Sequence, residues 1–383
     1  MNNALYIEDF IIIENKNRNK ISGDYCQSNR NQDFTDFILC DGMGSGIKAN
    51  ISAISCASRI MKQLSLGFSL HRSCEKAVAL MHRARNEDIP FAAFSLVRIM
   101  NNGQYTALCY EAPGPILVSR GLAQELSGRH FTMGLEFVAE YTGILHIEES
   151  LVLVSDGVTQ AGLGNLPGVG WTMNGFEKFI NKELSQGKNL KQIAKSAPSK
   201  TFALSGGIHA DDTTIAVLTA RKAEILDILT GPPLNKIDDQ KFVNSFLSSI
   251  GQKAVCGSST ADIVSRVMCK PLNNLKISTS FVQPPMYSIE GIDIVTEGAV
   301  TLNQVYNILD EDPACYDEES CVSQVCKMMQ NADIIHFFVG EAVNKEHGNI
   351  SFKQLGVLTR SKIVPLIAEK LKSMGKIITI ERL

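Results

Sequence analysis

The sequence predicts an α+β fold, with antiparallel sheets covered by helices and followed by a smaller α/β domain. In residues 1–222, strand-like and helical runs come in groups rather than in strict alternation. This order favours antiparallel sheets with helices on their outer faces. From residue 226 onward, single strand-like and helical runs alternate, as they do in α/β domains. A third observation is that short acidic motifs stand at the ends of strand-like runs.

The length and composition predict two globular domains. A chain of 383 residues is too long for one ordinary domain, and its apolar fraction of 44% is sufficient for complete cores. The net charge of −3 gives no electrostatic footprint for nucleic acid. No apolar stretch approaches the roughly 20 residues that span a bilayer, and the first residues lack the features of a signal peptide. The ten cysteines are scattered without a Cys-x-x-Cys pair, which is typical of reduced thiols. We therefore expect a cytoplasmic protein with neither a membrane nor a nucleic-acid partner.

The first part of the chain predicts strands that bring two aspartates together. Residues 6–13 and 37–40 have the apolar pattern of strands, and a polar turn cluster lies at residues 28–33. A hairpin centred on residues 32 and 33 places Asp24 opposite Asp41. Facing residues in an antiparallel pair have Cβ atoms roughly 4.5–5.5 Å apart. A single hairpin can thus bring these two carboxylates within reach of a shared ion.

Helices and further strands follow. Residues 48–64 carry apolar side chains with the spacing of an amphipathic helix, including Ile51, Ile54 and Ile60. A second helix is predicted at 73–86, before Pro90. Strands are then predicted at 91–100, 104–110, 116–119, 151–154 and 215–219, and helices at 176–184 and 190–196.

The second part of the chain predicts a separate α/β domain. The turn sequence Thr230-Gly231-Pro232-Pro233 marks a boundary or the entry to this domain. Strands are predicted at 253–256, 292–295, 334–339 and 376–380, with helices beginning at 261, 302 and 362. We therefore expect one domain at residues 1–222 and a second, regulatory or ligand-binding, at 226–383.

Four acidic motifs indicate the chemistry. They are Gly23-Asp24, Asp41-Gly42-Met43-Gly44-Ser45-Gly46, Ser155-Asp156-Gly157 and Asp211-Asp212-Thr213-Thr214. Carboxylates gathered at one sheet edge repel one another unless divalent cations neutralise them. Oxygen ligands select hard cations, so Mg²⁺ or Mn²⁺ is expected. Two such ions roughly 3.5–4 Å apart can bridge one water, lower its pKa and direct it at phosphorus. Gly42 and Gly157 turn the chain directly after their aspartates, and the Gly42 carbonyl can itself approach a metal.

These motifs resemble those of a known family. Ser22-Gly23-Asp24-Tyr25, residues 39–46, residues 152–159 and Ala210-Asp211-Asp212-Thr213-Thr214 occur in the order and at the spacing of the PPM (type 2C) metal-dependent serine/threonine protein phosphatases, in the bacterial branch typified by stage II sporulation protein E. Glu111-Ala112-Pro113-Gly114-Pro115 is similar to the family's internal Gly/Pro turn. The resemblance runs from about residue 9 to residue 219.

The resemblance implies a β-sandwich of two antiparallel sheets flanked by helices, with a two-metal centre at one end. Asp41 would bridge both metals, and Asp24 with the Gly42 carbonyl would complete one site. Asp156 and Asp211 would hold the other metal. Asp212 stands where many members have asparagine, and could serve a third ion. The helix after Asp41 resembles the branch's regulatory switch element. No clear equivalent of the arginine that holds substrate phosphate in animal members is present, although Arg18 and Lys20 are nearby.

Several other patterns allow both a functional and a structural interpretation. The backbone N–H groups of the turn in residues 255–262 could bind an anion at a helix start, with residues 296–298 lining the same pocket; alternatively, Ser258 or Ser259 could simply cap the helix. His209 could act as a general acid or be a surface histidine. Trp171 with residues 162–170 could form a flap beside the site or a long loop. Finally, Cys315, Cys321 and Cys326 could form a metal site, although their spacing is not a recognised one.

The expected function is therefore that of a cytoplasmic protein phosphatase. By resemblance, its substrate would be phosphoserine or phosphothreonine in a regulatory protein of the anti-sigma-antagonist type, opposing a serine kinase. Asp24 and Asp41 would be the catalytic residues, with a metal-bridging water as the nucleophile. Two alternatives remain: a catalytically weak signalling scaffold with a metal-sensing domain, and a hydrolase of small phosphorylated metabolites.

Overall fold

The chain divides into two compact units. A computed structural model describes residues 4–16, 21–44, 46–87, 89–164, 170–276, 284–312, 320–342 and 357–383. The N-terminal unit comprises Met1–Asn29 and Asp33–Lys222, and the C-terminal unit comprises Ala223–Leu383 with Arg30–Gln32. Among the described residues, no helix is long and apolar enough to cross a membrane. The assignment of separate roles to two domains stays a prediction.

The N-terminal unit contains two sheets and two groups of helices. Its elements are β1 (Leu5–Glu14), β2 (Asp24–Arg30), β3 (Phe34–Gly42), α1 (Ile47–Ser65), α2 (Leu70–Asn86), β4 (Ala92–Met100), β5 (Gln104–Tyr110), β6 (Ile116–Ser119), β7 (Leu122–Glu125), β8 (Arg129–Met133), β9 (Glu136–Ile144), β10 (Ser150–Val154), α3 (Asp156–Thr159), α4 (Thr172–Ser185), α5 (Leu190–Leu204) and β11 (Thr213–Lys222).

The two sheets are antiparallel and five and six strands wide. The first has the order β1-β11-β10-β6-β7, and the second has the order β2-β3-β4-β5-β9-β8. In the first sheet, β1 pairs with β11 along its whole length, from Leu5 opposite Lys222 to Glu14 opposite Thr213. In the second, the pairing from β3 through β4, β5 and β9 to β8 is antiparallel throughout. This arrangement confirms the predicted antiparallel sheets.

Alternating side chains on the strands produce four layers. On β3, Phe37 and Leu39 are buried in a core that also contains Leu153 of β10, on the other sheet. Ile38 and Cys40, which point to the opposite face, are buried against helices α1 and α2. A third core lies between the first sheet and helices α3, α4 and α5. The order of layers is therefore helix, sheet, sheet, helix, as the fold prediction required.

Most predicted elements of this unit form, with differences at their ends and on their faces. Helix α2 begins three residues before the predicted start, because the Ser69 hydroxyl accepts a hydrogen bond from the Arg72 amide at 3.3 Å. In α1, Ile51 is 60% exposed and Ile54 37% exposed, because the buried face is formed by Ala49, Ala53 and their neighbours instead. Strands β7, β8 and β9 were not predicted from the sequence.

The described part of the C-terminal unit contains further α-helices and strands, besides a short 3-10 helix at Lys236–Asp238. They are β12 (Ile225–Thr230), α6 (Asp239–Ser248), β13 (Gln252–Cys256), α7 (Ser258–Met268), β14 (Asn273–Lys276), β15 (Met286–Ser288), β16 (Ile294–Thr296), α8 (Ala299–Ile308), α9 (Cys321–Asn331), β17 (Ile334–Val339), α10 (Arg360–Ser373) and β18 (Ile377–Arg382). The sequence Thr230-Gly231-Pro232-Pro233 follows β12, so it lies inside this unit and does not separate the two units.

The sheet of the C-terminal unit is mainly parallel. Its order is β14-β15-β16-β13-β12-β17-β18, and the five strands from β16 to β18 are parallel. Helices α8, α9 and α10 cover one face, and α6 and α7 cover the other. The C-terminal unit thus has a doubly wound α/β structure, with helices on both faces of its sheet. This confirms the prediction of an α/β region after the sandwich.

A buried ion pair joins two central strands of this sheet. Asp227 on β12 is fully buried, and its Oδ2 accepts a hydrogen bond from Lys253 Nζ on β13 at 2.6 Å. The same oxygen accepts the Gly251 amide at 3.0 Å, while Lys253 Nζ also donates to the Ser249 carbonyl at 2.7 Å. Lys253 Nζ and Asp227 Oδ2 are therefore each compensated by several hydrogen bonds, whereas Asp227 Oδ1 is buried without a partner among the described residues.

Candidate metal centre

The predicted ligands lie at corresponding ends of strands in the two sheets. Asp24 begins β2, and Asp41 with Gly42 ends β3. Asp156 begins α3, two residues after β10, while Asp211 directly precedes Asp212 and β11. The negative charges of Asp24, Asp156 and Asp211 all raise the pKa of Asp41, so these side chains share one electrostatic environment. The fold therefore brings together carboxylates from four separate stretches of the sequence.

Asp41 is the most perturbed of these groups. Burial raises the pKa of its carboxyl from 3.8 to about 9, and repulsion from Asp24 and Asp156 acts in the same direction. A hydrogen bond with Asp156 also favours the protonated form of Asp41. Without a cation, the protonated form of Asp41 is thus favoured at pH 7. A bound divalent cation would instead favour the ionised carboxylate, because its positive charge offsets the repulsion from the neighbouring aspartates.

Asp24 is held by hydrogen bonds from the β10–β11 side of the site. Its side chain is only 3% exposed, and its Oδ2 accepts the Thr214 hydroxyl at 2.6 Å. Burial raises the pKa of Asp24 to about 6, although hydrogen bonds from Thr214 and Ser155 act against that rise. The Ser155 hydroxyl in turn accepts the Thr214 amide at 2.9 Å. These contacts fix the orientation of the Asp24 carboxylate.

Asp156 and Asp211 are more open to solvent. Gln160, one turn further along α3, donates its amide to Asp156 Oδ2 at 2.9 Å. Burial raises the pKa of Asp211, while its hydrogen bond from the Asp212 amide and the charge of Lys16 act to lower it. Lys16 Nζ lies 3.9 Å from Asp211 Oδ1. This ammonium group is a cation placed at the edge of the acidic cluster.

The two glycines that follow Asp41 and Asp156 are in close backbone contacts. A Cβ on Gly42 would lie 2.0 Å from the Ala49 carbonyl oxygen of α1, and one on Gly157 would lie 1.9 Å from the Asp212 carbonyl oxygen. Real Cβ atoms do not approach so closely, so both positions require glycine. The Gly42 amide donates to the Gly23 carbonyl at 3.2 Å, which ties the end of β3 to the start of β2.

The chemistry of the donor set fits a hard divalent cation. All candidate ligands are oxygen atoms. Burial, together with the negative charges of neighbouring aspartates, raises the pKa values of Asp24, Asp41 and Asp211. Among the described residues, however, no group of three or more carboxylate, histidine or cysteine side chains is closed into a metal-holding arrangement. The aspartates are grouped, but their side chains do not form a finished cage.

Some residues of the site could not be identified from the sequence. Thr214 and Ser155 lie inside the acidic motifs, but their hydrogen bonds depend on strand register and are visible only in the fold. Lys16 lies nearer in sequence to β1 than Arg18 and Lys20, which fall outside the described residues. The available signal for Lys16 was its position shortly after β1, because β1 pairs with β11, the strand that follows Asp211.

The histidine, serine and cysteine candidates lie in the following environments. The ring of His209 stacks near Phe202 at 4.7 Å, and its Nε2 is buried without a hydrogen-bond partner. Helix α7 has Gly257 as its N-cap and no side-chain cap, so the predicted capping by Ser258 or Ser259 is wrong. Cys321 and Cys326 are buried cysteines that form no disulfide with another described residue.

Two of these candidates extend beyond the described residues. Cys315, the third cysteine of its group, lies outside them, as does the centre of the predicted flap, residues 165–169. Beside that segment, Trp171 packs edge-on against Phe176 and Phe179, with ring centroids 5.2 Å apart in both pairs.

Residues 32–221 match the sequence model of one protein family, described as stage II sporulation protein E. Together with the four-layer sandwich and the acidic cluster, this match defines the class: the N-terminal unit is a phosphatase domain of the PPM (PP2C) type. Within that class, it belongs to the stage II sporulation protein E family. Among curated protein sequences, none is a significant match to this chain.

Solved structures of PP2C phosphatase domains are similar to the chain at low sequence identity. The PP2C domain of SpoIIE from Bacillus subtilis, with a fragment of its regulatory domain, is 15% identical with a TM-score of 0.48, and the match covers 57% of this chain and 64% of that one. RsbX in complex with magnesium is 18% identical, with a TM-score of 0.42 and coverage of 56% and 95%. The SiaA PP2C domain of Pseudomonas aeruginosa is 17% identical, with a TM-score of 0.44 and coverage of 55% and 85%. The family assignment rests on the sequence match.

Proposed function

We propose that the N-terminal unit is a metal-dependent protein phosphatase that hydrolyses phosphoserine or phosphothreonine. The observation that carries this proposal is the grouping of Asp24, Asp41, Asp156 and Asp211 within a domain of this family. The raised pKa of Asp41 supports it further, because a buried carboxylate among like charges is costly unless a cation compensates it.

The ligand assignment is what the resemblance to the family implies. Asp24, Asp41 and the Gly42 carbonyl would hold one Mn²⁺ or Mg²⁺ ion, and Asp156 and Asp211, together with Asp41, would hold a second. When bound, such ions lower the pKa of a coordinated water and neutralise charge on the substrate phosphate. No cysteine or serine nucleophile is required for this chemistry.

The protein contributes orientation and charge. Thr214 holds Asp24 Oδ2 at 2.6 Å, so that this carboxylate cannot rotate freely. Gln160 does the same for Asp156 at 2.9 Å. Lys16, at the open edge beside Asp211, is placed where an ammonium group can attract the phosphate of an incoming substrate.

The test is turnover of a phosphopeptide and of p-nitrophenyl phosphate, with and without Mn²⁺. We expect turnover to require Mn²⁺ and to be abolished by Asp41→Ala. Asp36→Asn is the matched control, because Asp36 is a buried aspartate of the same strand whose carboxylate is bound by Arg98 at 2.6 and 2.8 Å, away from the cluster. Undiminished Mn²⁺-dependent turnover by Asp41→Ala would refute the proposal.

The same assays separate the two rival functions. One rival is a metal-sensing signalling scaffold of low catalytic activity. Such a scaffold would bind Mn²⁺ and be stabilised by it, yet would hydrolyse neither substrate. A hydrolase of small metabolites would turn over phosphorylated metabolites faster than phosphopeptides. We further propose that the physiological substrate is a phosphorylated regulatory protein of the anti-sigma-antagonist type, opposed by a serine kinase, in the cytoplasm.

A further inference from the structure

The carboxylate of Asp212 is occupied by main-chain groups rather than open to a ligand. The Lys16 amide donates to Asp212 Oδ1 at 2.7 Å, and the Gly23 amide donates to Oδ2 at 2.6 Å. Lys16 follows β1, and Gly23 directly precedes β2. One side chain therefore connects two chain segments that are almost 200 residues away from it in sequence.

These two hydrogen bonds continue into the backbone beside both catalytic aspartates. Gly23 donates to Asp212, and its carbonyl accepts the Gly42 amide at 3.2 Å. Gly23 precedes Asp24, and Gly42 follows Asp41. There is also little room for movement, because a Cβ on Gly23 would lie 3.1 Å from both Asp212 Oδ2 and Ala49 Cβ. A shift of Asp212 is thus transmitted to the positions of Asp24 and Asp41.

The neighbouring Asp211 differs in kind. Its Oδ1 accepts the Asp212 amide at 3.0 Å, and its other described partner is the Lys16 ammonium group at 3.9 Å. An ammonium group on a long side chain can move away from Asp211, whereas the main-chain amides that bind Asp212 cannot leave without a change of the backbone. Both oxygens of Asp212 are thus engaged by the backbone, whereas Asp211 keeps one oxygen without a backbone hydrogen bond and is the more available of the two to a cation.

We propose that Asp212 is a positioning residue, which fixes the Gly23–Asp24 and Asp41–Gly42 backbones, and is not a metal ligand. The catalytic consequence of this inference rests on the proposed function, whereas the hydrogen bonds of Asp212 are independent of that function. Partners that orient metal ligands typically change metal affinity or activity by about 10–100-fold when removed. Asp212→Ala, which loses both acceptors, is expected to weaken Mn²⁺ binding by about that factor. Asp212→Asn keeps one acceptor oxygen and is expected to lose less.

The first experiment counts Mn²⁺ ions bound per chain at saturation and measures their affinity by calorimetry. Both Asp212 variants are expected to bind as many ions as the unmodified protein, with lower affinity, whereas Asp211→Asn binds fewer ions. Asp36→Asn controls for a general loss of stability, and its Mn²⁺ affinity is expected to be unchanged. The proposal is wrong if Asp212→Asn loses an ion as Asp211→Asn does, or if Asp36→Asn weakens Mn²⁺ binding as much as Asp212→Ala.

The second experiment requires neither metal nor activity. In EDTA, the Gly23 amide is expected to exchange its hydrogen at least ten times faster in Asp212→Ala than in the unmodified protein. Asp212→Asn is expected to lie between the two. An unchanged Gly23 exchange rate in Asp212→Ala overturns the proposal. If the unmodified protein bound no Mn²⁺ and hydrolysed nothing, the proposed function would fail, while the exchange rates would still decide whether Asp212 holds Gly23.

Discussion

Replacing Asp41 by asparagine is expected to stabilise the metal-free protein, although it removes a central residue of the site. Burial and the neighbouring aspartates raise the pKa of Asp41 from 3.8 to about 9. At pH 7 the native protein therefore keeps a proton that the unfolded chain has released. Asparagine is neutral in both states and avoids this cost.

The size of the effect follows from the proton balance. Each pKa unit corresponds to about 1.4 kcal/mol, and pH 7 lies about three units above the ordinary value of 3.8. Asp41 therefore costs the native state about 4 kcal/mol at pH 7. Loss of the hydrogen bond with Asp156 destabilises the variant by about 1 kcal/mol. The net expectation is a gain of about 3 kcal/mol for Asp41→Asn in EDTA.

The dependence on pH has a definite sign. Between pH 3.8 and about 9, the native state binds one more proton at Asp41 than the unfolded state does, so its contribution to stability falls as pH rises. The slope is at most about 1.4 kcal/mol per pH unit. In Asp41→Asn this component of the slope is absent, and the advantage of the variant therefore grows from pH 5 to pH 8.

The fluorescence of the single tryptophan provides the assay. Trp171 lies in the N-terminal unit and packs on Phe176 and Phe179, so urea unfolding followed at this residue reports on that unit. With Mn²⁺ at 100 times its dissociation constant, the unmodified protein should gain about 2.7 kcal/mol and the variant nothing. A variant that is less stable than the unmodified protein in EDTA at pH 7, or that keeps the same pH slope, would contradict this reasoning.

Three further predictions concern other parts of the chain. Gly157→Ala places a Cβ 1.9 Å from the Asp212 carbonyl oxygen, and is expected to reduce Mn²⁺ affinity at least tenfold by calorimetry; unchanged affinity would show that the contact yields without consequence. Lys253→Met leaves Asp227 buried and unpaired, and should destabilise the C-terminal unit by about 3–5 kcal/mol. Calorimetric unfolding would measure that loss, and recovery in the double variant with Asp227→Asn would confirm its cause. Burial lowers the pKa of His336, so the C-terminal unit should lose stability as pH falls below about 6.5, by at most about 1.4 kcal/mol per pH unit; urea unfolding of His336→Gln should show a smaller loss, and an identical pH profile would exclude this histidine as the source.

The acidic motifs and the antiparallel sheets covered by helices could be predicted from local pattern, whereas the sandwich order of the layers came from the family resemblance. Asp24, Asp41 and Asp156 each stand beside a glycine, near the start or end of a strand, and a sheet collects such positions at one edge. The strands of the second sheet beyond β5 were harder to recognise. Strand β8 is an edge strand whose residues Arg129, His130 and Thr132 are exposed, so its pattern lacks the apolar run that marks an inner strand.

The contacts that orient the site could not be predicted, because they depend on register and on main-chain atoms. That the Thr214 hydroxyl reaches Asp24 follows from the packing of β11 against the start of β2, which no local pattern specifies. The role of Asp212 is hidden for a similar reason. Its partners are amides of Lys16 and Gly23, and every residue except proline has an amide, so composition gives no signal.

The pairing of β1 with β11 has a consequence for biosynthesis. Since Leu5 pairs with Lys222, the sandwich is closed by the first and last strands of its own sequence. A nascent chain on the ribosome cannot complete this sheet until residue 222 has emerged. Until then, Asp24 lacks its neighbour Asp211 in the cluster. Premature termination before that point would yield a polypeptide that lacks β11, so the proposed metal centre could not assemble.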